Sequence, residues 1–261
     1  MIEYLDVHKA FDAPVLSGVD LRIETGEIMA VIGPSGTGKS VLLKTTIGLI
    51  WPDRGDVLVD GESVRDASPR QLQEIRRKAG YVFQYAALFD SMTVYENVAY
   101  GIQDDVARGL GARETMRRVS EALDDVNLST RQVLSKLPSE LSGGMRKRVG
   151  LARAVVGRPR ILLYDEPVTG LDPVNSAAID QLITAIARKT RVTSVVVTHD
   201  VEGVLRYCDH VALLESGRLR FVGSPAAFRA SADLMVRAFY DREAAATAAM
   251  ELNEPAAIGG R

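Results

Sequence analysis

Short apolar runs broken by glycine and polar turns recur towards both ends of the chain, and a long helical pattern fills its middle. Residues 2–7 and 19–23 are rich in β-branched and aromatic side chains, and Glu27-Ile28-Met29-Ala30-Val31-Ile32 is an apolar run leading straight into glycines. These runs predict strands, the third of them buried. Residues 40–49 have helical composition and stop between Gly48 and Pro52, and Val57-Leu58-Val59-Asp60-Gly61 reads as a strand and turn. Ser68-Pro69-Arg70-Gln71 carries a capping-box pattern with proline at the first helical position, so the helix it opens should reach about Lys78.

Between residues 85 and 157 no strand pattern is evident, and Met116, Val119, Leu123 and Val126 share one helical face. Strand and helix patterns alternate again afterwards: an apolar run at 160–164, a helix at 173–188, a run at 193–197, and a strand pair at 211–214 and 218–222 around Glu215-Ser216-Gly217. Such alternation predicts a mostly parallel sheet covered on both faces. The expected organisation is one folded unit over 1–241, with core segments 1–84 and 158–241 and a helical lobe over 85–157. A tail over 242–261, Ala-rich and ending Ile258-Gly259-Gly260-Arg261, reads as a marginal helix that frays. No internal repeat is present.

Composition narrows the class. The 261 residues are 46% hydrophobic and 25% charged, as in ordinary globular proteins, and the net charge of −2 gives no global electrostatic reason to expect nucleic acid as a partner. The single cysteine, Cys208, excludes an internal disulfide, and with His210 it offers too few ligands for zinc. No stretch approaches ~18 uninterrupted apolar residues, and the start lacks a basic then apolar leader, so neither a membrane span nor a signal peptide is expected.

The candidate chemistry begins where the third strand ends. Gly33-Pro34-Ser35-Gly36-Thr37-Gly38-Lys39-Ser40 fits the phosphate-binding loop pattern, which chance would produce in roughly one chain in a hundred of this composition. Glycines let backbone N–H groups converge on phosphate oxygens, Lys39 would reach the β- and γ-phosphates of a nucleotide, and Ser40 would bind Mg²⁺. A second apolar run delivers Asp165 and Glu166 to its end; beside a phosphate loop, Asp165 would hold Mg²⁺ through water and Glu166 would act as general base on the attacking water. Without that neighbour, two acids before Pro167 would equally be a helix-capping turn. His199 follows Val195-Val196-Val197 in the same way and should lie near the γ-phosphate.

Leu141-Ser142-Gly143-Gly144-Met145, directly before the basic helix start Arg146-Lys147-Arg148, stands about a hundred residues after the phosphate loop and shortly before Asp165-Glu166. With that order the chain strongly resembles the ATPase subunits of ABC transporters, over about residues 2–225. The resemblance implies a P-loop NTPase (RecA-like) α/β core with a mostly parallel sheet, an N-terminal antiparallel β subdomain and an inserted α-helical subdomain. It also implies roles for Gln84 as the glutamine that reaches the metal and the water, Gly170-Leu171-Asp172 as the loop facing a second subunit, Thr198-His199-Asp200 as the switch histidine segment, and Phe11 as the aromatic that stacks on adenine. Val41 would join the phosphate loop in holding ATP.

Ser142, Gly143 and Gly144 form a second surface suited to an anion, unless they are no more than a helix cap. In the family two copies pack head to tail, so that ATP on one copy's Lys39 loop is closed by Ser142, Gly143, Gly144 and Asp172 of the other. Met145, and the segment Ala87-Leu88-Phe89-Asp90-Ser91-Met92-Thr93-Val94-Tyr95-Glu96-Asn97-Val98, look like the ATPase of Mce-type phospholipid transporters. That likeness implies a peripheral subunit on the cytoplasmic face of the inner membrane. Its partners would be a permease docked near residues 84–95, with Leu88 and Phe89 as apolar contacts, and a periplasmic Mce-domain lipid-binding protein. The tail would clasp a partner subunit. The alternatives are an ABC ATPase energising transport of another small substrate, or a non-transport ABC protein, which usually needs two cassettes in one chain.

Overall fold

A computed structural model describes residues 1–102 and 104–241; the tail from Arg242, with its expected clasp, lies outside the described residues. The strands are β1 (Ile2–Ala10), β2 (Pro14–Ile23), β3 (Ile28–Ile32), β4 (Arg54–Val59), β5 (Glu62–Ser63), β6 (Ala79–Val82), β7 (Ile161–Asp165), β8 (Thr193–Thr198), β9 (His210–Glu215) and β10 (Arg218–Gly223). They form an antiparallel four-stranded sheet in the order β2-β1-β4-β5 and a six-stranded sheet in the order β10-β9-β3-β8-β7-β6, parallel except for the edge strand β10.

The near-continuous apolar character of β3, β7 and β8 has a direct cause. Ile28, Ala30 and Ile32 of β3, with Leu162 and Tyr164 of β7, enter one core; Met29 and Val31, with Ile161 and Leu163, enter the other. The first core packs against helices α3 (Val94–Ala99), α4 (Asp104–Asp125), α5 (Thr130–Val133), α6 (Gly143–Val155), α7 (Pro173–Thr190) and α8 (Val201–Val204). The second packs against the antiparallel sheet and the helices α1 (Lys39–Thr45) and α2 (Pro69–Arg77). Both faces of the large sheet are therefore dry, and its ligand-binding capacity is confined to its edges.

Local rules explain most of the helix starts. Ser68 opens α2 with the expected capping box, and Thr93 opens α3 with another, each worth about 1 kcal/mol. The helix expected over 40–49 stops at Thr45, because Gly48 turns back through a bond to the Thr45 carbonyl with φ +61°. Several short elements were not expected, β6, α9 (Pro225–Arg229) and α10 (Leu234–Arg237) among them. The strand β6 is four residues long and contains Gly80, so it has too little periodicity to announce itself; the short helices α9 and α10 lie where no pattern was read. Cys208 is buried, which pushes its thiol up to about 12 and leaves it a packing residue.

Candidate active site

Three neighbouring parallel strands finish at one edge: β3 runs into the loop 33–38, β7 ends on Asp165, and β8 ends immediately before His199. That is the carboxyl edge at which open α/β sheets bind ligands. Glycine is obligatory at two points of the loop. Gly33 has φ +152°, and a Cβ there would lie 2.2 Å from the Leu214 carbonyl oxygen; Gly38 has φ +97° and would press 2.8 Å from that of Val15. Gly38 caps α1 without any side-chain acceptor, so the first N–H groups of the helix point from the loop uncapped by a side chain.

Lys39 is buried, and its ammonium donates to the Gly33 and Pro34 carbonyls at 2.8 and 2.9 Å. Two of its three protons are so engaged and a third remains for an anion. Burial lowers its pKa, and the carboxylates of Glu166 and Asp165 oppose that shift. The Ser40 hydroxyl donates to Asp165 Oδ1 at 2.6 Å, and Tyr81 on β6 donates to Oδ2 at 2.9 Å, so both oxygens of a buried carboxylate are fixed. Burial first, and then Asp165, push the Tyr81 phenol far above its usual range, which keeps it a donor.

Glu166 turns out of the strand with φ +51°, a conformation that non-glycine residues hold when their surroundings impose it. Its N–H donates to Val197 on β8 at 2.9 Å, its Oε2 lies 2.7 Å from His199 Nδ1, and Thr169 donates to the same oxygen at 3.0 Å. A cavity of about 410 Å³ reaches Glu166, and its lining also includes Phe11, Ser35, Lys39, Ser40, Val41 and Gln84. Phe11 is exposed, and the Lys9 ammonium sits 5.3 Å from its ring centroid while bonded to Asp53 at 2.7 Å.

Ser142, Gly143, Gly144 and Asp172 do not line that cavity. Both Ser142 and Asp172 are helix caps: the Ser142 hydroxyl accepts from Met145 N at 3.3 Å, and Asp172 accepts from Val174 and Asn175 N at 3.0 and 3.1 Å. Capping does not exhaust Ser142, because an accepting hydroxyl still has its proton to donate. Nothing lies within 4 Å of a Cβ built on Gly143, whereas one on Gly144 would lie 3.1 Å from Asn175 Oδ1, so the starts of α6 and α7 touch.

The loop after Gln84 borders a separate groove of about 440 Å³ whose lining includes Phe83, Phe89, Tyr100 and Arg153. The buried Asn97 amide fixes Phe89 by bonding both its N–H and its carbonyl, at 2.8 and 3.1 Å. Phe89 is exposed and meets Tyr100 edge to face at 4.8 Å. Leu88 is half-buried and packs against the helical core. Another cavity, about 680 Å³, holds no residue of the phosphate loop and is bordered by ion pairs of Lys189 with Asp125 and Arg158 with Glu121.

Tyr81, Thr169 and Lys147 take part in the site without having been singled out. Tyr81 was hidden with its strand. Lys147, between Arg146 and Arg148, reads as solvated, yet its spacing of four from Leu151 puts it on the buried face of α6.

The family model described as "ABC transporter" matches residues 16–169, from β2 through the phosphate loop and signature segment to just past Asp165-Glu166. The methionine import ATP-binding protein MetN of Caulobacter vibrioides is 40% identical over 222 residues, which cover 84% of this chain and 65% of that protein. The sulfate/thiosulfate import ATP-binding protein CysA of Rhodopseudomonas palustris is 42% identical over 226 residues, covering 86% and 63%. The chain thus spans just under two thirds of the length of these relatives. A dimeric structure of the ATP-binding cassette MJ0796 in a post-hydrolysis state with ADP and Pi superposes with a TM-score of 0.79 at 32% identity, covering 86% of this chain and 99% of that one. With the fold, the ordered motifs and the matched segment in agreement, the chain belongs to the ABC transporter family.

Proposed function

We propose that the chain hydrolyses ATP at the junction of two copies of itself and so drives a membrane permease whose cargo is phospholipid. The observation that carries the ATPase reading is the meeting of Lys39, Ser40 and Glu166 on one cavity at one sheet edge, with Asp165 bonded to Ser40 and His199 bonded to Glu166. Backbone N–H groups of the loop and the free proton of Lys39 hold the phosphates, and Phe11 takes the adenine. The Glu166 carboxylate accepts a proton from the attacking water, and His199, bonded to it, orients that carboxylate towards the γ-phosphate. Ser40, Asp165 and Gln84 offer hard oxygen donors, the first two already 2.6 Å apart, which suits Mg²⁺ held by few protein ligands. Bound there, Mg²⁺ neutralises charge on the β- and γ-phosphates. Among the described residues no group of three or more His, Cys, Asp or Glu could hold a metal ion.

Ser142, Gly143, Gly144 and Asp172 stand away from this chain's own cavity, which supports their use on a partner's nucleotide. Ser142→Arg is accordingly expected to leave ATP binding by the purified chain within twofold of wild type and to lower hydrolysis at least ~100-fold, since it blocks closure of the second copy's site. A variant with wild-type turnover would show a site made by one copy.

Among the described residues no helix is long and apolar enough to cross a membrane, so the spanning part is assigned to a partner, with this chain peripheral on its cytoplasmic side. The aromatic groove around Phe89 supports permease docking there. Phe89→Asp should weaken co-purification with the permease at least ~10-fold and leave ATP binding intact, because a buried unpaired carboxylate costs several kcal/mol at such a centre. The phospholipid reading rests on Met145 and the run 87–98, and with it comes a periplasmic Mce-domain partner. A small-solute cargo is favoured instead by the relatives, which are named for methionine and for sulfate or thiosulfate import. Reconstitution with its permease decides: ATP-dependent lipid transfer between vesicles supports the first, and uptake of methionine or sulfate without lipid transfer supports the second.

A further inference from the structure

α6 presents two basic side chains to the loop that follows Gln84. Arg153 donates to the Ala86 and Ala87 carbonyls, each at 2.7 Å, and Lys147 donates to the carbonyl of Gln84. Ala86 and Ala87 have φ +59° and +46°, so this loop, like Glu166, holds a conformation that alanine does not choose unaided. Lys147 also reaches across to the Glu166 carbonyl at 3.5 Å and feels the Glu166 charge. Its ammonium thus bonds to both loops.

We propose that Lys147 is a positioning residue: its buried ammonium ties the loop beside the aromatic groove to the backbone of Glu166, so that displacement of one moves the other. The inference rests on the reading of Glu166 as general base and adds how that base is regulated from the groove. Stability does not call for a lysine here. The side chain is 8% exposed, its partners are carbonyls, and an apolar side chain of similar length would fill the space without the cost of burying a charge. A cation retained in such a place has its use in the geometry it fixes.

The experiment uses the full chain with Lys147→Met and the reference variant Glu166→Gln. For Lys147→Met we expect an unchanged or higher thermal midpoint, ATP affinity within twofold, turnover lowered about 10- to 100-fold, and amide exchange at Ala86 and Ala87 at least about tenfold faster. Lys147→Arg, which keeps a donor and the charge, should recover part of the turnover. Wild-type turnover and exchange in Lys147→Met would overturn the proposal, and so would a parallel loss of midpoint, affinity and turnover, which is the mark of a structural residue. If Glu166→Gln hydrolyses ATP normally, the base assignment falls and the proposal with it; if Glu166→Gln is inactive while Lys147→Met behaves as wild type, the coupling alone is wrong.

Discussion

Lys39→Ala is expected to raise the dissociation constant for ATP at least ~100-fold in an equilibrium binding assay, and to do so without unfolding the protein. The lysine makes two hydrogen bonds to its own loop and would make a third, charge-assisted one to phosphate. Charge-assisted bonds are worth ~1.5–3 kcal/mol, and the truncation also loosens the carbonyls of Gly33 and Pro34 that set the loop's curvature. The substitution removes a buried cation, so the folded state loses little. A variant that binds ATP with near-normal affinity would show that the loop recognises phosphate through its backbone alone.

Glu166→Gln should have the opposite signature: nucleotide binding retained, hydrolysis reduced by ~10²–10⁴, the range that a positioned general base supplies. Glutamine keeps the shape of the side chain and can still accept from Thr169, so the arrangement with His199 survives while the proton acceptor does not. Turnover stops with ATP bound, and the dimer should accumulate on size-exclusion chromatography in ATP. Full activity would place the base elsewhere, and failure to dimerise would count against the two-copy site.

The architecture was legible in the sequence to the extent that each element carried its own signal. β3 and the runs 161–164 of β7 and 195–197 of β8 are apolar at every position because two cores claim alternate side chains, and Ser68 with Gln71 wrote the start of α2. β6 was illegible for a physical reason: four residues with a central glycine give no periodicity, and its place in the sheet is dictated by pairing with β7, a partner about eighty residues away. Tyr81 went unseen with it. The site's acids were visible because they sit where strands end, but the second bond to each was not. That Thr169 and His199 share one oxygen of Glu166, or that Lys147 turns inward between two arginines, depends on packing across segments far apart in sequence. Leu88 and Phe89 show the same limit, since adjacent apolar residues in a loop look alike until the buried Asn97 decides which one faces out.

The contact between the starts of α6 and α7 carries a last implication. Asn175 donates to Asp172 and its amide oxygen occupies the space beside Gly144, so one side chain touches both segments that the proposed pairing aims at a partner's nucleotide. An event at one copy's ATP would then reach the other copy's machinery sideways, through a neutral amide rather than through the nucleotide itself. Alternation between the two sites could be built on that lateral joint, with each copy reporting its partner's state before its own.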